Sequence, residues 1–441
     1  MKKRWLRAVV VLLAEIGVLA AVVWAVSRDA APPDEAEFAA SRPDVAPADN
    51  AFTYFLEATN LLVDTTNDAL FVDFRMGKTP ASDELRERIA KNAECLALVK
   101  RGTECAICLA PPVETIDTLT PYVSPWLHMM EILEARARLA RLDGRFAAAV
   151  DDLAVGLRFG DLVQKNASSL ITYLVGVAIF SSSAESTMEL ARDPAAPPET
   201  LAQLAAELER VGPFDGGLAR GIKSEQRIAC NIVDGLRNQL PSVDSIGWSD
   251  LQDGKRLLAR LQKFKYYFKP NQTKRDMSAV HRRVIANASR IYADMAMGAP
   301  DEGEMGRFSL LQPNVFGKYL FMIVIPNFNK TLESKCGTDG ILAGAKLTVG
   351  CNRFQREKGH WPADLQELVP DYLSEVPRDP YDGKPFRYSA EKGLVWAVGK
   401  NLTDEGGSTR VPGVEQTAAA NRDRRRAEDF VFELKTPEKT E

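Results

Sequence analysis

The chain has 441 residues, 45% of them hydrophobic and 26% charged, with 25 Pro and 29 Gly. This composition excludes a disordered or collagen-like chain and implies a sizeable buried core. Lys+Arg 56 against Asp+Glu 60 gives a net charge of -4, which argues against a dedicated nucleic-acid binder, since such a protein needs a basic face to neutralise phosphates. The three histidines, His128, His281 and His360, are too far apart for the helical two-histidine zinc motif.

Residues 8–26, AVVVLLAEIGVLAAVVWAV, form a nearly unbroken apolar run. As a helix it covers about 28 Å, close to the hydrocarbon thickness of a bilayer, so a single membrane span is expected. Lys2, Lys3, Arg4 and Arg7 precede it, and Asp29, Asp34, Glu35 and Glu37 follow. The positive-inside rule then keeps the N-terminus in the cytoplasm of a bacterial cell and puts the bulk of the chain in the periplasm. The alternative is a cleaved signal peptide, for which Val23-Trp24-Ala25 serves as a small-residue cleavage site. Glu15 falls inside the span, where an ionised carboxylate is costly and is expected to be neutral or paired.

Residues 29–48 are rich in Ala, Pro and acids, the composition of a flexible tether. A helical body is expected over 49–300. Asp49 or Asn50 caps its first helix, and Ser82 caps a second that runs to Lys100. The clearest hairpin covers 124–164, turning at Asp143-Gly144. Residues 169–180, SLITYLVGVAIF, are apolar all round but too short to span, so a buried core helix is expected. Further helices are read over 199–211, 217–240, 248–268 and 276–297. Within 255–275, bases interleave with aromatics, which fits a polyanion or lipid-headgroup face or an ordinary solvated basic face with Tyr and Phe turned inward.

In an exported chain the six cysteines permit disulfides. Cys336 and Cys351 cannot pair if they share one helix, where they lie about 22 Å apart. Cys95, Cys105 and Cys108 form the better cluster, since KRGTE at 100–104 could turn the chain back. Cys105-Ala-Ile-Cys108 has redox spacing but lacks a surrounding strand-then-helix unit. No G-x-S-x-G occurs, and His128, Glu131, Glu225 and Arg227 are the polar residues within apolar helices that a catalytic cleft could use.

From residue 301 onward the pattern changes: an apolar run at 319–325, a long helix to Lys358, then turns and short strands expected to form a small antiparallel β-meander. The order of Gly359, Trp361-Pro362, Asp379-Pro380-Tyr381, Gly383, Pro385, Tyr388, Gly399 and Asp404-Glu405-Gly406-Gly407 resembles the C-terminal half of type II secretion major pseudopilins. The chain as a whole is similar to single-anchor bacterial envelope proteins that bring no known reaction. The pseudopilin resemblance implies a calcium loop, with Asn401, Thr403, Asp404 and Glu405 as candidate ligands, although Asn401 stands near the place of that family's first loop aspartate. It does not carry filament assembly with it, because this module lies some 300 residues from the anchor.

The expected fold is therefore mostly α: a cytoplasmic stub and transmembrane helix (1–28), a linker (29–48), a body of antiparallel helical hairpins (49–300) and a pseudopilin-like α+β module (301–441). The expected function is a membrane-anchored scaffold or interaction module with a protein partner. An envelope hydrolase with its site between helices and a ligand-binding helical sensor are the alternatives.

Overall fold

The computed structural model describes residues 2–39, 42–63, 69–115, 118, 120–238, 266–295, 313–325, 328–413 and 424–435. The chain is mostly helical, and its described strands form one small antiparallel sheet. The first helix, α1 (Lys2–Ser27), is continuous, and its stretch Val10–Ser27 is long and apolar enough to cross a membrane. None of that stretch is buried against the body. A signal sequence meets the same test of length and composition.

Within the expected flexible tether, residues 29–38 are fastened to the body. Asp29 accepts from the backbone N–H of Asn271 at 3.0 Å and of Gln272 at 3.1 Å, and Arg275 donates to the Ala31 carbonyl at 2.8 Å. Lys274 contacts Glu35 at 3.2 Å, Arg282 pairs with Glu37, and Phe38 is buried. Composition reads this stretch as loose, yet its acids meet a basic helix formed some 240 residues later, and Phe38 gains a pocket there.

The helical body follows. Asn50 caps α2 (Ala51–Leu61) through the Phe52 N–H at 3.1 Å. A short α3 (Leu70–Arg75) comes next. The helix expected from Ser82 to Lys100 is two, α4 (Asp83–Lys91) and α5 (Ala93–Gly102). They break at Asn92, whose side chain takes the Val63 N–H at 2.9 Å and donates to the Arg88 carbonyl at 3.0 Å. An asparagine that bonds backbone in this way competes with helix continuation.

The hairpin α6 (Val123–Leu142) and α7 (Phe146–Lys165) turns at Gly144, with φ of 73°. Helix α8 (Leu170–Ala191) extends well past the apolar stretch that announced it and is two-thirds buried, as a core helix should be. It packs on α7 through glycines: a Cβ at Gly160 would stand 2.4 Å from the Phe180 backbone N, and one at Gly176 would stand 2.4 Å from that of Gln164. Helices α9 (Pro198–Arg210), α10 (Asp215–Asn238) and α11 (Pro270–Ala288) complete this layer. Helix α11 starts six residues before the expected point because Pro270 fits a first helical turn, where no N–H partner is needed. The part of the 248–268 helix before residue 266 and the composition shift near residues 300–306 lie outside the described residues.

After α12 (Val315–Val324) comes the long α13 (Phe328–Lys358), ended by Gly359 at φ 80°. The expected meander is present: β1 (Arg387–Ser389), β2 (Leu394–Val398) and β3 (Asp429–Glu433) pair antiparallel in the order β1-β2-β3. Phe430 and Phe432 of β3 lie over Gly340 and Gly344 of α13, where a side chain would collide with them. On its other side α13 meets α8 and α9. One hydrophobic cluster runs from Ala137 through α13 to Leu434, so the sheet and the helical layer share a core.

All six cysteines are free thiols. Cys336 and Cys351 do share one helix, as the distance argument requires for non-pairing. The expected Cys95, Cys105 and Cys108 cluster is not joined. Helix α5 continues to Gly102, a turn follows at residues 103–106, and Ile107 then bridges to Asn50.

Candidate functional site

The residues singled out as calcium ligands lie on one loop after β2. Asn401 accepts the Thr403 N–H at 3.1 Å and donates to Glu405 at 2.8 Å. Asp404 takes the Trp396 indole N–H at 2.9 Å and the Gly406 N–H at 3.0 Å, and its other oxygen stands 3.6 Å from Arg387. The indole bond, backed by the Gly406 N–H and Arg387 against a smaller burial effect, holds this carboxyl below its ordinary range. Asp429, fully buried at the start of β3, receives the N–H groups of Glu405, Gly407 and Ser408 at 3.1, 2.9 and 2.9 Å. Gly406 and Gly407 turn those amides inward at φ 72° and 83°, making an anion-binding nest filled by the protein's own carboxylate.

Arg387 sits among Asp379, Asp382 and Asp404 and hydrogen-bonds the first two. Asp379 is fully buried and also accepts from the Tyr381 N–H at 2.7 Å and the Val398 N–H at 2.8 Å. Calcium requires six to eight oxygen ligands. Here Asn401, Asp404 and Glu405 each hold protein partners, and the positive charge beside Asp404 is the Arg387 guanidinium. Among the described residues no group of three or more His, Cys, Asp or Glu is placed to hold a metal ion.

The polar residues of the body do not converge. His128 contacts Glu131 at 3.1 Å on α6, while Glu225 on α10 accepts the Leu170 N–H at 3.2 Å where α8 begins. Arg227 is half-buried on α10. The thiols of Cys105 and Cys108 are both pushed up, chiefly by burial, whereas a redox dithiol needs a lowered one.

Two polar arrangements were not anticipated. Glu134, buried on α6, accepts from Arg75 at 2.7 Å, Ser182 at 2.9 Å and Ser183 at 3.1 Å. Burial pushes its carboxyl up in spite of Arg75. The adjoining cavity of about 20 Å³ has room for a single water, so this cluster locks helices together.

The second is a cleft of about 270 Å³ between α5, α7 and α9. Val150, Ala154, Val155 and Ala206 form its apolar lining. Arg158 grips Glu207 through two hydrogen bonds at 2.8 and 2.6 Å, and Lys100 stands 3.7 Å from Asp151. Thr103 adds a hydroxyl to the lining, and it donates to the Lys100 carbonyl at 2.7 Å. Charged side chains set around this apolar wall give the cleft the make-up of a site for a small molecule bearing charges. The sequence signal was faint: Asp151 and Arg158 lie one heptad apart, off the apolar stripe of α7.

Comparison with known protein families, with curated proteins and with solved structures gives no match for this chain.

Proposed function

We propose that this chain is a membrane-anchored interaction protein whose body works on the periplasmic side of a bacterial cytoplasmic membrane. The observation that carries the reading is α1: a helix of spanning length and apolar composition that buries none of Val10–Ser27 on the rest of the chain. Charge asymmetry across it, with Lys2, Lys3, Arg4 and Arg7 on one side and Asp29, Asp34, Glu35 and Glu37 on the other, supports the orientation. The three-stranded unit behind α13 is the part assigned to docking a protein partner in secretion or envelope assembly, on the pseudopilin resemblance. The test is a pair of C-terminal fusions in a bacterial host. Alkaline phosphatase should be active and green fluorescent protein dark; the reverse pattern overturns the reading.

The cleft between α5, α7 and α9 supports a second reading, a sensor for a small charged ligand. Amino acids and short peptides serve as probes. A rise in melting temperature that Arg158→Ala abolishes supports it, and no shift with any probe rejects it for those ligands.

A further inference from the structure

The end of α1 is fastened to the body at one spot. Two residues beyond Ser27, Asp29 is hydrogen-bonded to the first turn of α11, and Ala30 accepts from the Asn271 side chain at 2.9 Å. Two extended residues reach at most about 7 Å, and the Asp29 side chain with its hydrogen bond adds roughly 5 Å, so the N-terminal end of α11 lies within about 12 Å of where α1 stops.

Helix α12 begins at the same spot. Asn314 accepts the Lys269 N–H at 2.8 Å and donates to Thr273 at 3.1 Å, and the Asn314 and Phe316 N–H groups donate to the Tyr266 and Tyr267 carbonyls at 2.8 and 2.9 Å. One face of α12, with Val315, Phe316 and Leu320, is buried. Its C-terminal half also carries two exposed apolar side chains: Met322 is 42% and Ile323 47% exposed. Ten helical residues span about 15 Å, so this apolar surface starts within one short helix of the N-terminal end of α11, to which the end of α1 is fastened. Tyr266, Tyr267 and Lys269 border the same junction, and such residues put an apolar body and a polar tip at a membrane–water boundary.

We infer that the outward face of α12, at Met322 and Ile323, inserts into the headgroup–acyl boundary of the membrane that α1 spans, so that the body lies against the bilayer instead of swinging from it. The inference rests on reading α1 as a membrane span. It also gives the interleaved bases and aromatics after residue 255 a lipid-facing role at their described end.

The test places the photo-crosslinking residue benzoylphenylalanine, one position at a time, at Leu13, Ile323 or Leu142 of the full chain. All three side chains are exposed, at 62%, 47% and 56%, so none of the replacements burdens the core. The protein is reconstituted in vesicles of phosphatidylethanolamine and phosphatidylglycerol containing a tagged phospholipid, then irradiated. Lipid labelling is expected at positions 13 and 323, with position 323 about tenfold above position 142, the occupancy ratio that burial of such apolar side chains supports. Labelling at 13 with only background at 323 overturns the inference and leaves the anchor standing. Crosslinking of position 323 to a second copy of the chain overturns it in favour of self-association. Absence of lipid at position 13 removes the membrane reading and this inference together.

Discussion

The ring of Phe38 meets that of His281 nearly at right angles, 82°, with centroids 6.5 Å apart. Phe328 closes on the imidazole at 5.1 Å, and Nδ1 lies 2.8 Å from the Met277 carbonyl, which only accepts, so this nitrogen carries the proton. Burial pushes His281 down to about 4 from an ordinary 6.5. The unfolded chain therefore binds more protons between these values. Stability from this group is full above pH 6.5 and is lost as pH falls towards 4, by about 3 kcal/mol over the interval. Nearby Arg282 covers Phe38 and pairs with Glu37, so the joint also holds a permanent cation. Urea unfolding of wild type and His281→Leu at pH 7 and pH 4.5 should show a smaller acid loss in the variant; equal losses refute the assignment.

Asp29 acts as an N-cap supplied from far along the sequence, because Lys269, at the cap position of α11, makes no side-chain bond there. Asp29→Ala should cost about 1 kcal/mol and speed amide exchange at Asn271 and Gln272. Asp34→Ala is the control, since Asp34 accepts a local hydrogen bond from the exposed Ala36 N–H, at 3.0 Å, and does not cap α11. Equal effects from the two substitutions would contradict the capping role.

Where α7 crosses α8, backbones touch through Gly160 and Gly176. A methyl group at either site must force the helices apart, so Gly160→Ala should cost about 2 kcal/mol or more. Gly235 on α10 has open space within 4 Å of its would-be Cβ, and Gly235→Ala should stabilise by up to about 1 kcal/mol. Chemical denaturation of both variants measures the opposite signs.

Asp429 collects three backbone N–H groups in a buried position. Asp429→Ala leaves those amides unpaired and should cost about 2 kcal/mol or more, with new proteolytic cuts between residues 401 and 408. Because Arg387 already supplies the cation beside Asp404, adding calcium or a chelator should leave the melting temperature of the wild type unchanged. A calcium-dependent rise would show that the loop rearranges to take the ion.

Periodic, locally determined features were readable from sequence. The α6–α7 hairpin has an apolar stripe on each arm and a glycine at the turn, and α8 declared itself through Leu170 to Phe180. The extension of α8 to Ala191 was hidden because Ser182 and Ser183 look like loop residues until Glu134, 48 or more positions earlier, is placed against them. Asn92 likewise breaks a helical pattern only because Val63 is near. The cleft was invisible for the same reason: Lys100, Arg158 and Glu207 come from three helices and share no motif. Conversely, Asn401, Asp404 and Glu405 were legible as neighbours on a loop. Their bonding to Trp396 and to each other depended on a register that spacing does not fix.

The clasp between residues 29–38 and α11 also sets a schedule. These residues leave the ribosome first, and their partners at Asn271 and beyond follow about 240 positions later. At common synthesis rates that interval lasts roughly 10 to 50 s. For that time Phe38 and its acidic neighbours have no helix to hold, so a stretch made early is among the last to settle. A ribosome stalled before residue 270 would leave it open to any chaperone or protease within reach.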